Sequence, residues 1–138
     1  MAMTLRLLVA VLSFASLTVP AATAAPLTKA QSDALAKSAE ICGTGPVAET
    51  TIAACTAVID SHRYEGAALA VYYFDRGLNY AKSQHYPQAI ADFDAAIKLK
   101  PDFANAYFVR GTVKQVMGDN AGGDADIAKA KALDPTIG

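Results

Sequence analysis

From residue 68 to the end of the chain, apolar and small residues alternate with polar ones in blocks that recur with a step of 34. Ala70 falls on Ala104, Tyr73 on Tyr107, Phe74 on Phe108, and Arg76-Gly77 on Arg110-Gly111. Further on, Ala91-Asp92 falls on Ala125-Asp126, Ala96 on Ala130, Leu99 on Leu133 and Pro101 on Pro135. Each unit reads as two helices. The first runs over about 68–83 with its copy over about 103–117, and the second over about 87–99 with its copy over about 121–133. Gly77 and Gly111 fall in mid-helix, where Gly costs about 1 kcal/mol relative to Ala. That cost makes sense if a neighbouring helix must approach closely. Ala89, Ala96 and Ala130 are the small partners on the second helices, and Phe93 and Ile127 supply bulk. Pro101 and Pro135 stop the second helices because Pro cannot continue one. Pro87 sits in a first turn, where it is tolerated.

A partial copy lies upstream. Residues 51–61 fall on 89–99 with a step of 38, matching Ile52, Ala53, Ala57 and Ile59 and placing Cys55 in the slot of Phe93. Before it, Thr28-Lys29-Ala30-Gln31 opens a helix with a capping box, and that helix runs to about Cys42. Gly43-Thr44-Gly45-Pro46 makes the turn. Residues 25–66 are therefore expected to form a degenerate helical hairpin that caps the repeats.

Tyr73, Gly77, Tyr80, Ala89, Phe93, Ala96 and Pro101 fill seven slots of a pattern that resembles the tetratricopeptide repeat family. The second copy keeps Tyr107, Gly111, Ala130 and Pro135, puts Ile127 in an aromatic slot, and departs at Lys114 and Gly123. The resemblance covers repeats at 70–103 and 104–137. It implies an all-α, helix-turn-helix solenoid of about six helices with a right-handed superhelical course. It also implies that the first helix of each repeat lines a concave groove. Carried onto this chain, the groove positions are Val71, Phe74, Leu78, Ala81 and Lys82, then Asn105, Phe108, Thr112, Gln115 and Val116. Their i, i+3 and i+4 spacing puts each set on one helix face. Phe74 and Phe108, one repeat apart, are expected to stack as neighbouring anchors. The alternative is that they are core, or are covered by the upstream hairpin. Some family members clamp a peptide carboxylate with Lys and Asn; here Phe74 and Leu78 stand where such a clamp needs polar groups. Arg76 and Arg110 occupy a slot where the family often has Leu, and each is expected to bond Asp92, Asp94 or Asp126 across the helix packing.

Residues 1–24 carry Arg6, an uncharged apolar run Leu7–Leu17, Pro20 and then Ala22-Thr23-Ala24. This reads as a secretory signal with cleavage after Ala24, too short before Pro20 to span a membrane. The mature protein is expected in the periplasm or secreted, with no membrane insertion after cleavage. The rest of the 138 residues fits one domain. With 12 basic and 13 acidic residues, the chain has no long-range attraction to nucleic acid or anionic lipid. Its two cysteines, Cys42 and Cys55, leave three readings open: a structural disulfide, two buried thiols, or a redox pair. An even count in an exported domain favours the bridge. Closing a loop of about 14 residues would be worth about 3 kcal/mol in the chain-entropy model.

Reactive chemistry is sparse. There is no phosphate-binding Gly-rich loop, no H-E-x-x-H and no G-x-S-x-G. His62 and His85 read as surface residues. Asp92 and Asp94 lie on different helix faces and suit arginine partners better than paired acid–base work. The expectation is no enzyme, no cofactor and no metal. The leading reading is a non-catalytic adaptor or scaffold that binds an apolar peptide or amphipathic helix of another envelope protein. The second is a self-assembling subunit that stacks through an uncapped last repeat, where Ala125, Ala128 and Ala132 would be exposed.

Overall fold

A computed structural model describes residues 26–138. The expected export signal over residues 1–24 and its cleavage site lie outside the described residues. Six helices follow in order: α1 Lys29–Thr44, α2 Glu49–Asp60, α3 Gly66–Lys82, α4 Tyr86–Leu99, α5 Ala104–Val116 and α6 Asn120–Leu133. No strand occurs among the described residues. Successive helices pair as three hairpins, and α2 packs on α3 as α4 packs on α5. Observed helix ends fall within about two residues of those the repeat predicts, the scatter expected of helix termini.

Local chemistry explains the ends. Thr28 caps α1 through a capping box in which its side chain accepts from the Gln31 amide while Gln31 reaches back. Pro87 lies in the first turn of α4. Asp119 accepts from the Gly122 amide at 2.9 Å, so the Gly122-Gly123 start of α6 is held by a cap that repeat 70–103 lacks. The turn between helices is also repeated. Gln84 has φ 63° and Gly118, one step of 34 later, has φ 91°. The left-handed region costs an L-residue about 1–2 kcal/mol and costs Gly almost nothing. Gln84→Gly is expected to raise stability by about 0.5–1 kcal/mol in urea denaturation.

The close approach inferred from Gly77 is present. A Cβ on Gly77 would stand 2.8 Å from Phe93 Cε1, and one on Gly111 would stand 2.9 Å from Ile127 Cγ1 and 2.7 Å from the Gly123 carbonyl. Phe93 is the largest fully buried side chain. It joins Ala89 of α4 and Val113 of α5, with Leu78, Tyr80, Ala81, Ile90 and Val109 packed around them. A second cluster centres on Ala70, Ala96 and Ala106. Ala89, Ala96 and Ala130 are each fully buried, as small partners must be where helices cross closely. Pro101 and Pro135 are exposed just past α4 and α6.

In the first hairpin Cys42 and Cys55 form a disulfide with 4.8 Å between Cα atoms. In the 38-residue step Cys55 stands in the slot of Phe93 and Cys42 in that of Tyr80. Both cysteines are buried, so a covalent bridge takes the place of the aromatic knob.

Candidate functional site

The α3 and α5 positions assigned to a groove divide into two groups. Val71, Lys82, Asn105, Thr112 and Val116 are exposed. Val71 is 43% exposed and Val116 60%, and Met117 beside it is 52% exposed. Phe74, Leu78 and Ala81 are half-buried and pack against the Phe93 cluster. Gln115 turns toward α6, where its Nε2 donates to Asp124 at 2.7 Å. Thr112 donates its hydroxyl to the Phe108 carbonyl.

The expected stacking of Phe74 on Phe108 is not found. The rings against Phe74 are Phe103 at 4.8 Å and Phe93 at 5.8 Å between centroids. Phe103 lies in the loop before α5 and reaches back to fill the space that the stack required. Phe108 instead meets the chain after α6: a Cβ on Gly138 would lie 3.7 Å from its ring. Residue 137 is one step of 34 from Phe103, so half-buried Ile137 falls in the slot of Phe103, and exposed Gly138 beside it lies near the Phe108 ring. This arrangement was missed from sequence because Phe and Ile share only apolarity and both lie outside the helices.

Behind the exposed face runs a ladder of charged side chains. Arg76 donates to both oxygens of Asp92 at 2.8 Å and to the Thr56 hydroxyl at 3.0 Å. Arg110 donates to both oxygens of Asp126, at 2.8 and 2.6 Å, and to Asp94 at 2.5 Å. Each Arg therefore ties its own repeat together and also reaches the second helix of the preceding hairpin. Thr56 stands in the slot of Asp94 under the 38-residue step. Tyr73 and Tyr80 flank Arg76, and Tyr107 flanks Arg110, at 5.3–5.9 Å from ring centroids. Fork-like contact to both carboxylate oxygens is the strong, directional form of this interaction.

Asp75 lies on the other side of α3, facing the end of α1. Burial raises its carboxyl from 3.8 to about 6. A folded-state value above the unfolded one means the acid form is favoured in the fold. The cost is absent below about pH 4 and grows as pH rises toward 6. Asp75→Asn is therefore expected to stabilise the protein at pH 7 and to leave it unchanged near pH 3.5, as read by thermal melts at the two pH values.

His62 and His85 are exposed. Among the described residues, no group of three or more His, Cys, Asp or Glu stands together as a metal site. No helix of the described residues is long and apolar enough to cross a membrane.

Residues 77–118 match a family model described as TPR repeat. Over 79 residues the chain is 35% identical to an Hsp70-Hsp90 organizing protein of Triticum aestivum, a match covering 54% of this chain and 14% of that one. The chain thus spans about a seventh of that relative's length. Among solved structures, the Arabidopsis OM64 TPR domain aligns with TM-score 0.65 at 20% identity, covering 78% of this chain and 85% of that one. MamA aligns with TM-score 0.63 at 19% identity, covering 76% and 58%. The TPR2B domain of yeast Sti1, solved as a complex with pHsp70, aligns with TM-score 0.62 at 23% identity, covering 80% and 84%. At such identities the structures speak to the fold alone. TPR domains are protein–protein interaction modules built on a typically non-catalytic fold. Taken with the 34-residue register, the Gly–aromatic helix crossings and the paired hairpins, these likenesses show the fold of a tetratricopeptide repeat domain.

Proposed function

We propose that this protein is a non-catalytic adaptor of the bacterial periplasm that binds an apolar segment of another envelope protein across α3 and α5. The observation that carries the reading is the placement of exposed apolar side chains. Val71, Val116 and Met117 are three of the five large exposed hydrophobics among the described residues, and they belong to α3 and the end of α5. Val116 falls on Lys82 in the 34-residue register, and Val71 lies three turns before Lys82, so Val71 and Val116 mark the two ends of one face of the repeat helices. Lys82, Asn105 and Thr112 give that face a polar margin, which suits an amphipathic helix. The export signal read from residues 1–24 supports the compartment.

Self-stacking through the last repeat has less support. Where α4 presents Ile90 and Ile97 to the clusters it shares with α5, the same positions of α6 hold Asp124 and Lys131. The forward-reaching Asp94 is replaced by exposed Ala128. A polar outer face is what a terminal repeat needs.

Site-specific photo-crosslinking tests the reading. A photoreactive residue at Val116 in the producing cell should yield adducts to one foreign protein, lost when Val71→Asp is added. A crosslinker at Ala125 on α6 should not capture it. Adducts only between copies of this chain would favour self-assembly instead, and no adduct from Val116 would overturn the binding face.

A further inference from the structure

We propose that the Cys42–Cys55 disulfide is a latch that holds α1 as a removable cover over α3, so that reduction releases α1 while α3–α6 stay folded. The inference is independent of what the α3–α5 face binds.

Three observations converge. First, α1 has little grip of its own. Of its 16 residues only Cys42 is buried, with Leu35, Ser38, Ala39 and Ile41 half-buried. In contrast, α2 buries Thr51, Ile52, Ala54, Cys55, Val58 and Ile59. The capping box of α1 and its exposed Lys29–Asp33 pair act within the helix and tie it to nothing else. Second, the surface of α3 that α1 meets is a poor partner. Gly43 of α1 faces the Asp75 carboxylate, 4.0 Å from where a Gly43 Cβ would stand. One turn on, Asn79 donates its Nδ2 to the Asp75 carbonyl at 2.8 Å. Its Oδ1 is then left buried with no hydrogen-bond partner. The carboxyl deprived of water opposes the contact with α1, and the unpartnered acceptor of Asn79 weakens the same face of α3 one turn on. Third, the bond sits near the end of α1, 13 residues from its partner, and α2 is independently packed on α3. Few buried apolar contacts and an exposed helix are the marks of a segment that opens at low cost.

The redox step takes two electrons and two protons: a dithiol reductant is oxidised to its own disulfide as Cys42 and Cys55 become thiols. Both cysteines are buried, so the reductant reaches them as the earlier turns of α1, which the bond at Cys42 leaves untethered, fray away. Once the bond is cut, the unfavourable contact is no longer enforced.

Hydrogen exchange on the intact protein tests this, with and without dithiothreitol, with alkylation of both thiols confirming reduction. A Cys42→Ala/Cys55→Ala variant serves as the permanently unlatched form. The expected result is that α1 amides lose protection by about 100-fold or more on reduction and in the variant, while those of α3–α6 change by less than about 3-fold. The titration of Asp75, read by carboxyl NMR, should move down toward the ordinary Asp range as water reaches it. Protection of α1 that persists in the variant would overturn the latch. So would loss of protection in every helix together, since the bond would then be a staple for the whole array.

Discussion

Phe93→Ala is expected to lower folding stability by about 3–5 kcal/mol, the usual cost of removing a buried aromatic ring. A domain of this size has only about 5–15 kcal/mol in total. The ring touches the backbone of Gly77, so nothing on α3 can move in to fill the space without the helices closing. It also carries the contact between repeats, since its cluster includes Val113 of α5 and the half-buried Phe74 and Val109. In a nearly one-dimensional array, weakening an interior junction uncouples its neighbours. Urea denaturation followed by circular dichroism should therefore show both a lower midpoint and a shallower transition.

The same slot in the last repeat supplies the control. Ile127 is half-buried, where Phe93 is fully buried, and packs against Gly111. Ile127→Ala is expected near the low end of about 2–5 kcal/mol, with no broadening. Equal losses at the two positions would mean that Phe93 acts within its own hairpin and does not couple the repeats.

That pair of residues also shows what the sequence made readable. Gly77 with Phe93 and Gly111 with Ile127 were legible because a mid-helix Gly makes sense only beside something that needs the room. The step of 34 repeated that oddity at the same distance. The upstream hairpin was harder to read, because Cys55 does the work of an aromatic and the step lengthens to 38. Even so, the matched Ile52 and Ile59 set its register, and Thr56 fell where Asp94 reaches its Arg. Loop residues escaped. Phe103 gave no sign that it would displace Phe108 from Phe74, because periodicity describes helix faces and is silent where the chain turns. The groove positions were legible as one face of each helix but not as exposed or packed. Which side chain stays in solvent depends on the neighbouring loop, as Phe74 under Phe103 and Gln115 drawn to Asp124 both show.

Arg76→Met is expected to cost about 3–5 kcal/mol, because it leaves the Asp92 carboxylate buried without a cation. Arg76 and Asp92 side chains are 16% and 7% exposed, so solvent does little to soften the loss. Arg110→Met should cost less. Lys114 stays 2.8 Å from Asp126, and Asp94, at 56% exposure, returns to water. Replacing both partners, as Arg76→Met with Asp92→Leu, should recover most of the stability, since an apolar pair of similar volume escapes the desolvation cost. The Arg110 contacts also respond to acid. Burial alone would raise the Asp126 carboxyl, but hydrogen bonds from Arg110 and Lys114 outweigh it and hold the group below 3.8. A depressed folded value means the contribution is complete above the unfolded value and is lost as pH falls through the folded one. Arg110→Met should thus shift acid unfolding to higher pH while changing the neutral melting temperature less than Arg76→Met does. If neither variant melts below the parent, the ladder adds nothing to the stacking of the hairpins.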